Sequence, residues 1–582
     1  MPTYSLTLRQ TPQQLNGDSR GVGRKLEISE VDNNWLFLEE LSLGGGSASQ
    51  GATGPQGATG PQGIQGETGA TGPTGSALPS GITGSFQLSD GVGLTGLGRF
   101  DFSLNNLSLG KNSYNLSTTG ANNINIGCNS LCSNTSGFNN ISLGTDSLRY
   151  NTTGGSNVSL GANSLRNNTT GYKNVALGSD SLFNNTTGSF NVALGGDSLR
   201  CNTTGNFNTS LGLGSLSCNT TGGFNVALGV NSLCSNTTGY FNVAIGFSSL
   251  RLNTTGCRNI AFGDRSLYNP TASNCNIAIG YNSMNGMTGG NDNIALGRNS
   301  FRNNESGNCN IAIGVDALCN NTTGGSNVAL GDSALRCNTE GNQNVALGYS
   351  ALRCNTTGWR NISIGRESLF YSQTAWGNIS IGYCSMRQTT TGESNVSLGL
   401  CSLGKNTSGT GNISLGLLSM NGNTTGSFNV SLGFDSMRCA TSSNDNISIG
   451  KNSLCNNISG HNTSIGSGSL RYNTSGYGNV SIGSYALHSN TTGSRNVALG
   501  RFALSNNVSG GFNSGLGYNV QSGGFTGSVI LGSGAVATAG GQFSLGSTNF
   551  PIGPTASESC TSNTTLQIRL NGNTYKLLLY KD

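Results

Sequence analysis

The sequence predicts an all-β fold: a parallel β-solenoid, or β-roll, of 17-residue turns, homotrimeric, with a short N-terminal helix and a collagen triple helix. Three observations lead there. One phrase, as in "NTTGYKNVALGSDSLFN" at 168–184, returns every 17 residues. Gly holds one fixed place in every copy. Residues 51–77 carry Gly at every third position.

With the apolar residue after Asn taken as slot 0, the beat falls at Leu107, Ile124, Ile141, Val158, Val175 and onward to Ile447 without a slip. One residue is missing before Thr463; the beat resumes at Val480, Val497 and Ser514, which gives 25 copies. A fixed period near this length marks a solenoid, propeller or array. Seventeen residues are too few for a helix pair or a four-stranded blade. They suit one coil with two short strands and two turns.

Each slot has a physical reading. Slots 0 and 2 are Val/Ile and Leu/Ile in nearly every copy, and alternate strand residues share a face. Together with Leu or Met at slot 7 (Leu165, Leu182, Met284), they are the expected interior. Slot 1 is Ala or Ser, as at Ala176, Ala193, Ala227, Ala244 and Ser363. A uniformly small face opposite the interior implies a second chain packed closely against it, so these alanines are the candidate trimer face. The other reading is that small residues simply fit a tight coil. Slot 3 is Gly throughout, including Gly161, Gly178, Gly195 and Gly229. It is expected to be a corner with positive φ or a close backbone approach. The N-T-T-G segment is the other corner, where stacked Asn side chains can bond the backbone of neighbouring turns.

The flanks divide the chain further. Residues 1–46 are an attachment region. Ser29 caps a predicted helix over 30–41, with Val31, Trp35 and Leu38 on one face. Residues 47–77 are the collagen-like stretch; its nine Gly triplets set a chain count of three, because only Gly fits the crowded axis. Residues 78–105 are a transition, 106–546 the β-roll, and 547–582 a β-hairpin cap turning at Asn571-Gly572.

Composition agrees with an elongated surface structure. Gly numbers 92 of 582 residues and charged residues are only 9%, so no large globular core or charged solvent shell is implied. A net charge of +5 lacks the concentrated basic patch of a nucleic-acid binder. No apolar run of about 18 residues is present to insert in a membrane. "MPTYSLTLRQ" has none of the features of a secretory signal. An exposed architecture without an export tag fits a virion component released by lysis.

No Ser/His/Asp set, carboxylate pair or phosphate loop is legible, so no enzyme, cofactor or metal site is expected. The 16 Cys lack zinc spacing, but Cys201/Cys218, Cys337/Cys354 and Cys384/Cys401 each share a slot on neighbouring turns, within disulfide reach. The alternative is that they fill small semi-buried slots as thiols. Slot 8 carries an Arg column that includes Arg149, Arg166, Arg200, Arg251 and Arg353. It reads as a contact for anionic host glycans or as a solvated face. Tyr172, Tyr240, Trp359 and Trp376 sit on the corners and can stack on sugars. The many N-x-Ser/Thr sequons coincide with the coil corner and are expected to be structural.

The "NVALG…SL" turns, and above all the 14-residue step from Val529 to Phe543, resemble the head of trimeric autotransporter adhesins over residues of about 100–546. That resemblance implies a trimeric left-handed parallel β-roll. The 17-residue period departs from that family's usual 14, and its signal peptide and anchor barrel are lacking. "LEISEVDNNWLFLEEL" and "LNGNTYKLLLY" are similar to segments near the start and end of phage tail fibres and related virion proteins. The resemblance implies a fibre of a phage or large DNA virus. Its N-terminus would dock in a virion socket protein, and the fibre would project from the particle to a host glycan or protein. A bacterial cell- or spore-surface collagen-like adhesin is the alternative.

Overall fold

A computed structural model describes residues 98–547 except 102, 114 and 116, together with residue 549 and the strands at 565–570 and 573–578. The predicted helix with Val31, Trp35 and Leu38, and the collagen-like triplets, lie outside the described residues.

The described chain is a parallel β-solenoid. Strand β1 (Gly98–Asp101) pairs antiparallel with β2 (Asn106–Leu109). Strands β3 to β26 are three-residue strands running from Ile124–Ile126 to Ser514–Leu516. β27 (Val529–Leu531) and β28 (Phe543–Leu545) follow on shorter turns. All of these belong to one 28-stranded sheet. Each strand from β2 onward pairs in parallel with the same slots one turn away, as in Val175↔Val192, Ala176↔Ala193 and Leu177↔Leu194. β1 thus occupies the open edge of β2, a site that otherwise invites pairing with another chain. β29 (Thr565–Leu570) and β30 (Asn573–Leu578) form a separate antiparallel hairpin.

Each turn holds one strand, not two. The side opposite the strand is built from left-handed residues: Asp180 has φ 57 and Leu182 has φ 49. Positive φ is incompatible with an extended strand. The backbone still bonds from turn to turn there, with the Leu182 N–H donating to the Ser198 carbonyl at 2.9 Å and the Thr186 N–H to the Thr203 carbonyl at 2.9 Å. Slot 5 favours Asp or Asn, which tolerate this region. Leu at slot 7 accepts it in exchange for complete burial.

The inside and outside of the strand are the reverse of the expectation from its apolar pattern. Slot 1 faces inward: Ala176, Ala193, Ala227 and Ala244 are fully buried within a single chain. They are therefore not a trimer face, because no surface of theirs is left for a neighbour. Slots 0 and 2 face outward; Ile141, Ile260, Ile313 and Leu398 are all exposed. The reason is the coil's narrow bore. Its cross-section already holds two Asn side chains, a Ser or Ala at slot 6 and the slot-7 Leu. Ala or Ser fits beside them in nearly every copy, with Asn125 and Gly515 as exceptions.

The interior is thus largely polar, and most of its buried groups are hydrogen-bonded. Asn174 donates from Nδ2 to Asn157 Oδ1 at 3.1 Å and to the Gly188 carbonyl at 2.8 Å. The first Asn of N-T-T-G forms a second ladder; Asn185 Nδ2 donates to Asn168 Oδ1 at 2.7 Å and to the Gly188 carbonyl at 2.9 Å. Where slot 1 is Ser, its hydroxyl joins slot 6 in a third ladder: Ser368 donates to Ser380 Oγ at 2.8 Å and Ser385 to Ser397 Oγ at 2.8 Å. In several turns where slot 1 is Ala, the slot-6 hydroxyl turns to the slot-3 carbonyl, as Ser181 does to Gly178 at 2.9 Å.

Gly178 is held in place by both of its possible constraints. Its φ is 135, and an added Cβ would lie 2.6 Å from the Gly195 carbonyl carbon one turn on. Gly161, Gly195 and Gly229 share the conformation, with φ 137, 126 and 131. The missing residue before Thr463 is absorbed in the Asn corner. The strand register there is kept, Ile447↔Thr463, and the Asn462 N–H still donates to Asn446 Oδ1 at 3.0 Å.

Candidate functional site

Slots 5, 8 and 9 form the outer face of the left-handed side, and the slot-8 arginines line up on it. Arg149 lies 3.4 Å from Asp146 and Arg200 lies 3.6 Å from Asp197, each carboxylate coming from slot 5 of the same turn. Arg166 reaches Asp146 at 3.9 Å and sits over the Phe183 ring at 5.5 Å. Arg353 covers Phe370 at 5.5 Å, and Arg251 donates to the Tyr268 hydroxyl at 2.8 Å. The column is therefore not a uniform basic stripe. Over most of its length, slot-5 carboxylates and slot-8 aromatic rings occupy the guanidinium groups.

A second column runs along the N-T-T-G corner. Tyr172 meets Phe190 edge-on, with ring centroids 5.0 Å apart. Phe190, Phe207, Phe224 and Phe241 then stack at 4.8, 4.8 and 4.9 Å. Those separations match the rise of one turn, which makes stacking the automatic result of repeating Phe at one slot. Tyr240 packs edge-on to Phe241 at 5.5 Å, with Arg258 over its ring at 5.9 Å. Trp359 and Trp376 stack at 5.3 Å, and Arg360 lies over Trp359 at 4.6 Å. The corner aromatics are thus joined in pairs and runs. The phenylalanine column is not among the residues singled out from the sequence; the recurrence of Phe at a spacing of 17, from Phe190 to Phe241, is the signal that carries it.

The N-T-T-G sequons have no free acceptor nitrogen. Asn168 is buried, and its Nδ2 donates to Asn151 Oδ1 at 2.7 Å and the Gly171 carbonyl at 2.9 Å. The cysteines of the described coil are thiols. Burial pushes the Cys201 thiol up, with Cys218 adding to it; burial likewise raises Cys354, with Cys337 adding to it. Burial also raises Cys384, and the Cys401 thiol is close enough to contribute. The same-slot pairs are thus close neighbours. Another pair, Cys439 and Cys455, falls in adjacent slots on neighbouring turns, with the Cys439 N–H donating to the Cys455 carbonyl at 2.8 Å.

Among the described residues, no group of three or more His, Cys, Asp or Glu is placed to hold a metal ion. His488 is sandwiched by Tyr472 at 4.9 Å and Tyr485 at 5.2 Å, and burial followed by Arg471 holds its pKa below the ordinary value. His461 stands 3.9 Å from Asp445, on a different turn. No described helix is long and apolar enough to cross a membrane. No protein family, curated protein or solved structure matches the chain.

Proposed function

We propose that the chain is a structural, non-catalytic fibre protein. Three copies assemble side by side into a rod that projects from a virion and contacts a host surface. The observation that carries this reading is the outward stripe of slots 0 and 2. Val/Ile and Leu/Ile recur on one face of nearly every turn, so a single chain leaves an apolar strip along most of its sheet. Soluble monomers expose contiguous apolar patches of only about 300–600 Å². The chain count comes from the Gly triplets at 51–77, which require three strands. In this reading the axis of the trimer runs along slots 0 and 2, and the arginine and aromatic columns face outward.

The repeat then supplies reach. Each turn adds about 4.8 Å, so the 25 copies give a shaft of roughly 120 Å. The N-terminal region is the foot in a virion socket protein. Recognition of a host glycan or protein falls to the outward-facing columns and corners. Immunogold electron microscopy with antibody to the 565–578 hairpin tests this. Gold at the outer ends of fibres on virus particles is the expected result. Gold on bacterial cells or spores, with virions bare, replaces the virion fibre with the surface adhesin.

A further inference from the structure

Four successive turns, on Val243, Ile260, Ile277 and Ile294, carry three arginines and no acid at slots 5 and 8 of the outer face. In five other turns slot 5 supplies an acid that pairs with a slot-8 arginine: Asp146, Asp197, Asp316, Glu367 and Asp435 pair with Arg149, Arg200, Arg336, Arg387 and Arg438 at 2.8–3.9 Å. In these four turns slot 5 holds Ser248, Arg265, Asn282 and Asn299. Slot 8 holds Arg251, Tyr268, Asn285 and Arg302. Arg265 is the one basic residue that slot 5 carries in the 25 copies.

The result is a surface cleft of about 370 Å³, lined among others by Arg251, Arg265, Arg302, Tyr268, Asn282 and Asn285 and by no carboxylate. Arg251 is oriented by the Tyr268 hydroxyl at 2.8 Å. Arg265 and Arg302 form no ion pair or side-chain hydrogen bond among the described residues, and both are exposed. Asn285 is fixed by donating to the Arg265 carbonyl at 3.1 Å and to Asn282 Oδ1 at 3.3 Å, which leaves its own oxygen as an acceptor at the cleft. The short Asn285 and Ser248 side chains, where neighbouring turns carry longer ones, open the floor. The atypical "NPTASNC" corner at 269–275 adjoins it.

We infer that this cleft is the glycan-binding site of the shaft and that its ligand is an anionic saccharide bearing sulfate groups. This rests on the host-attachment reading above. Guanidinium groups bind such oxyanions in a bidentate manner. The Asn and Tyr groups between them match sugar hydroxyls. Arg251 and Arg302 are three turns apart, roughly 14 Å, which suits two or more sugar units. Three cations in one short cleft, on a chain of net charge only +5, are a local site and not a track for nucleic acid.

The test is isothermal titration of the full chain with a heparin-derived sulfated tetrasaccharide, its desulfated analogue, and a single-stranded oligonucleotide of equal charge. The sulfated sugar is expected to bind, the other two at least tenfold more weakly. The variant R265S/R302S is expected to lose binding about tenfold or more. R149S/R200S, whose arginines are acid-paired, should stay within about twofold of the parent. Unchanged circular dichroism of both variants separates lost binding from lost fold. No binding of the sulfated sugar, equal loss in the two variants, or an equally tight oligonucleotide overturns the site. The micrographs judge the fibre independently, so a fibre without this site is a distinguishable outcome.

Discussion

Asn174 and Asn191, stacked one turn apart, are linked at two points: the Asn174 side-chain oxygen accepts the Asn191 backbone N–H at 2.9 Å and its Nδ2–H at 3.1 Å. Asn191 donates again to the Gly205 carbonyl at 2.8 Å and accepts both donors of Asn208 at 2.9 and 3.1 Å. Every polar atom of that side chain is used, in an interior closed to water. Asn191→Ala leaves the two donors of Asn208 without an acceptor. At about 1–3 kcal/mol for each unsatisfied buried group, the loss is about 3 kcal/mol. Solenoid stability is carried by nearest-neighbour interfaces, so the damage stays local. Hydrogen exchange is expected to quicken roughly 100-fold around residues 174–208 and to stay unchanged beyond residue 300. Uniform loss of protection along the coil would refute this nearest-neighbour account.

Two glycines separate conformation from contact. Gly178→Ala meets both a φ of 135 and a Cβ contact at 2.6 Å with Gly195. Gly524 has φ 82 but nothing within 4 Å of the added Cβ. Gly524→Ala should cost only the strain of positive φ, about 1–3 kcal/mol. Gly178→Ala must also displace the next turn and should exceed that range. Thermal unfolding of the two variants checks the order; equal losses would mean that the close approach relaxes freely.

Much of this was legible in the sequence. The period alone fixed the solenoid and its register, because a chain that repeats every 17 residues must present the same groups to the turn above. The Gly corner was legible because no other residue occupies slot 3. What misled was the apolar alternation. A Val-Ala-Leu strand ordinarily buries Val and Leu, yet here Val175 and Leu177 face outward around a buried Ala176. That inversion depends on the width of the bore, which is set by the two Asn ladders and Leu182 from distant slots. Sequence periodicity reports which residues share a face, not which face is enclosed. The arginine cleft was hidden for a related reason. Arg251 was visible in the slot-8 column, but Arg265 lies in slot 5, and only the folded coil sets those slots side by side.

The inversion makes opposite predictions for neighbouring residues. Val175→Lys, Val192→Lys, Val226→Lys and Val243→Lys in one chain place charges on the outward stripe. In the trimer reading they should reduce the sedimenting mass from three chains to one and leave hydrogen-exchange protection of the coil intact. Ala176→Leu instead overfills the interior. Overpacking typically costs about 1–3 kcal/mol and should lower protection near residue 176 with little effect on mass. If the four lysines leave the mass unchanged, slots 0 and 2 are not the trimer axis.

Cys439 and Cys455 give a prediction tied to pH. Burial pushes the Cys455 thiol up from 9.0 to about 11, and the neighbouring Cys439 adds to the shift. The folded coil thus favours the neutral thiol. The stabilisation is complete below pH 9, where both folded and unfolded forms are protonated, and is lost as the pH rises from 9 through 11. Allowing for the part of the group that solvent screens, it amounts to about 1 kcal/mol. The thiolate is the reactive species, so alkylation of Cys455 should be slow at pH 8 and rise on the order of a hundredfold by pH 11. Cys309, which is exposed, is the internal reference. Mass spectrometry of iodoacetamide-treated chain resolves the two sites. Equal rates at pH 8 would show that the inter-turn packing around Cys455 does not exclude water.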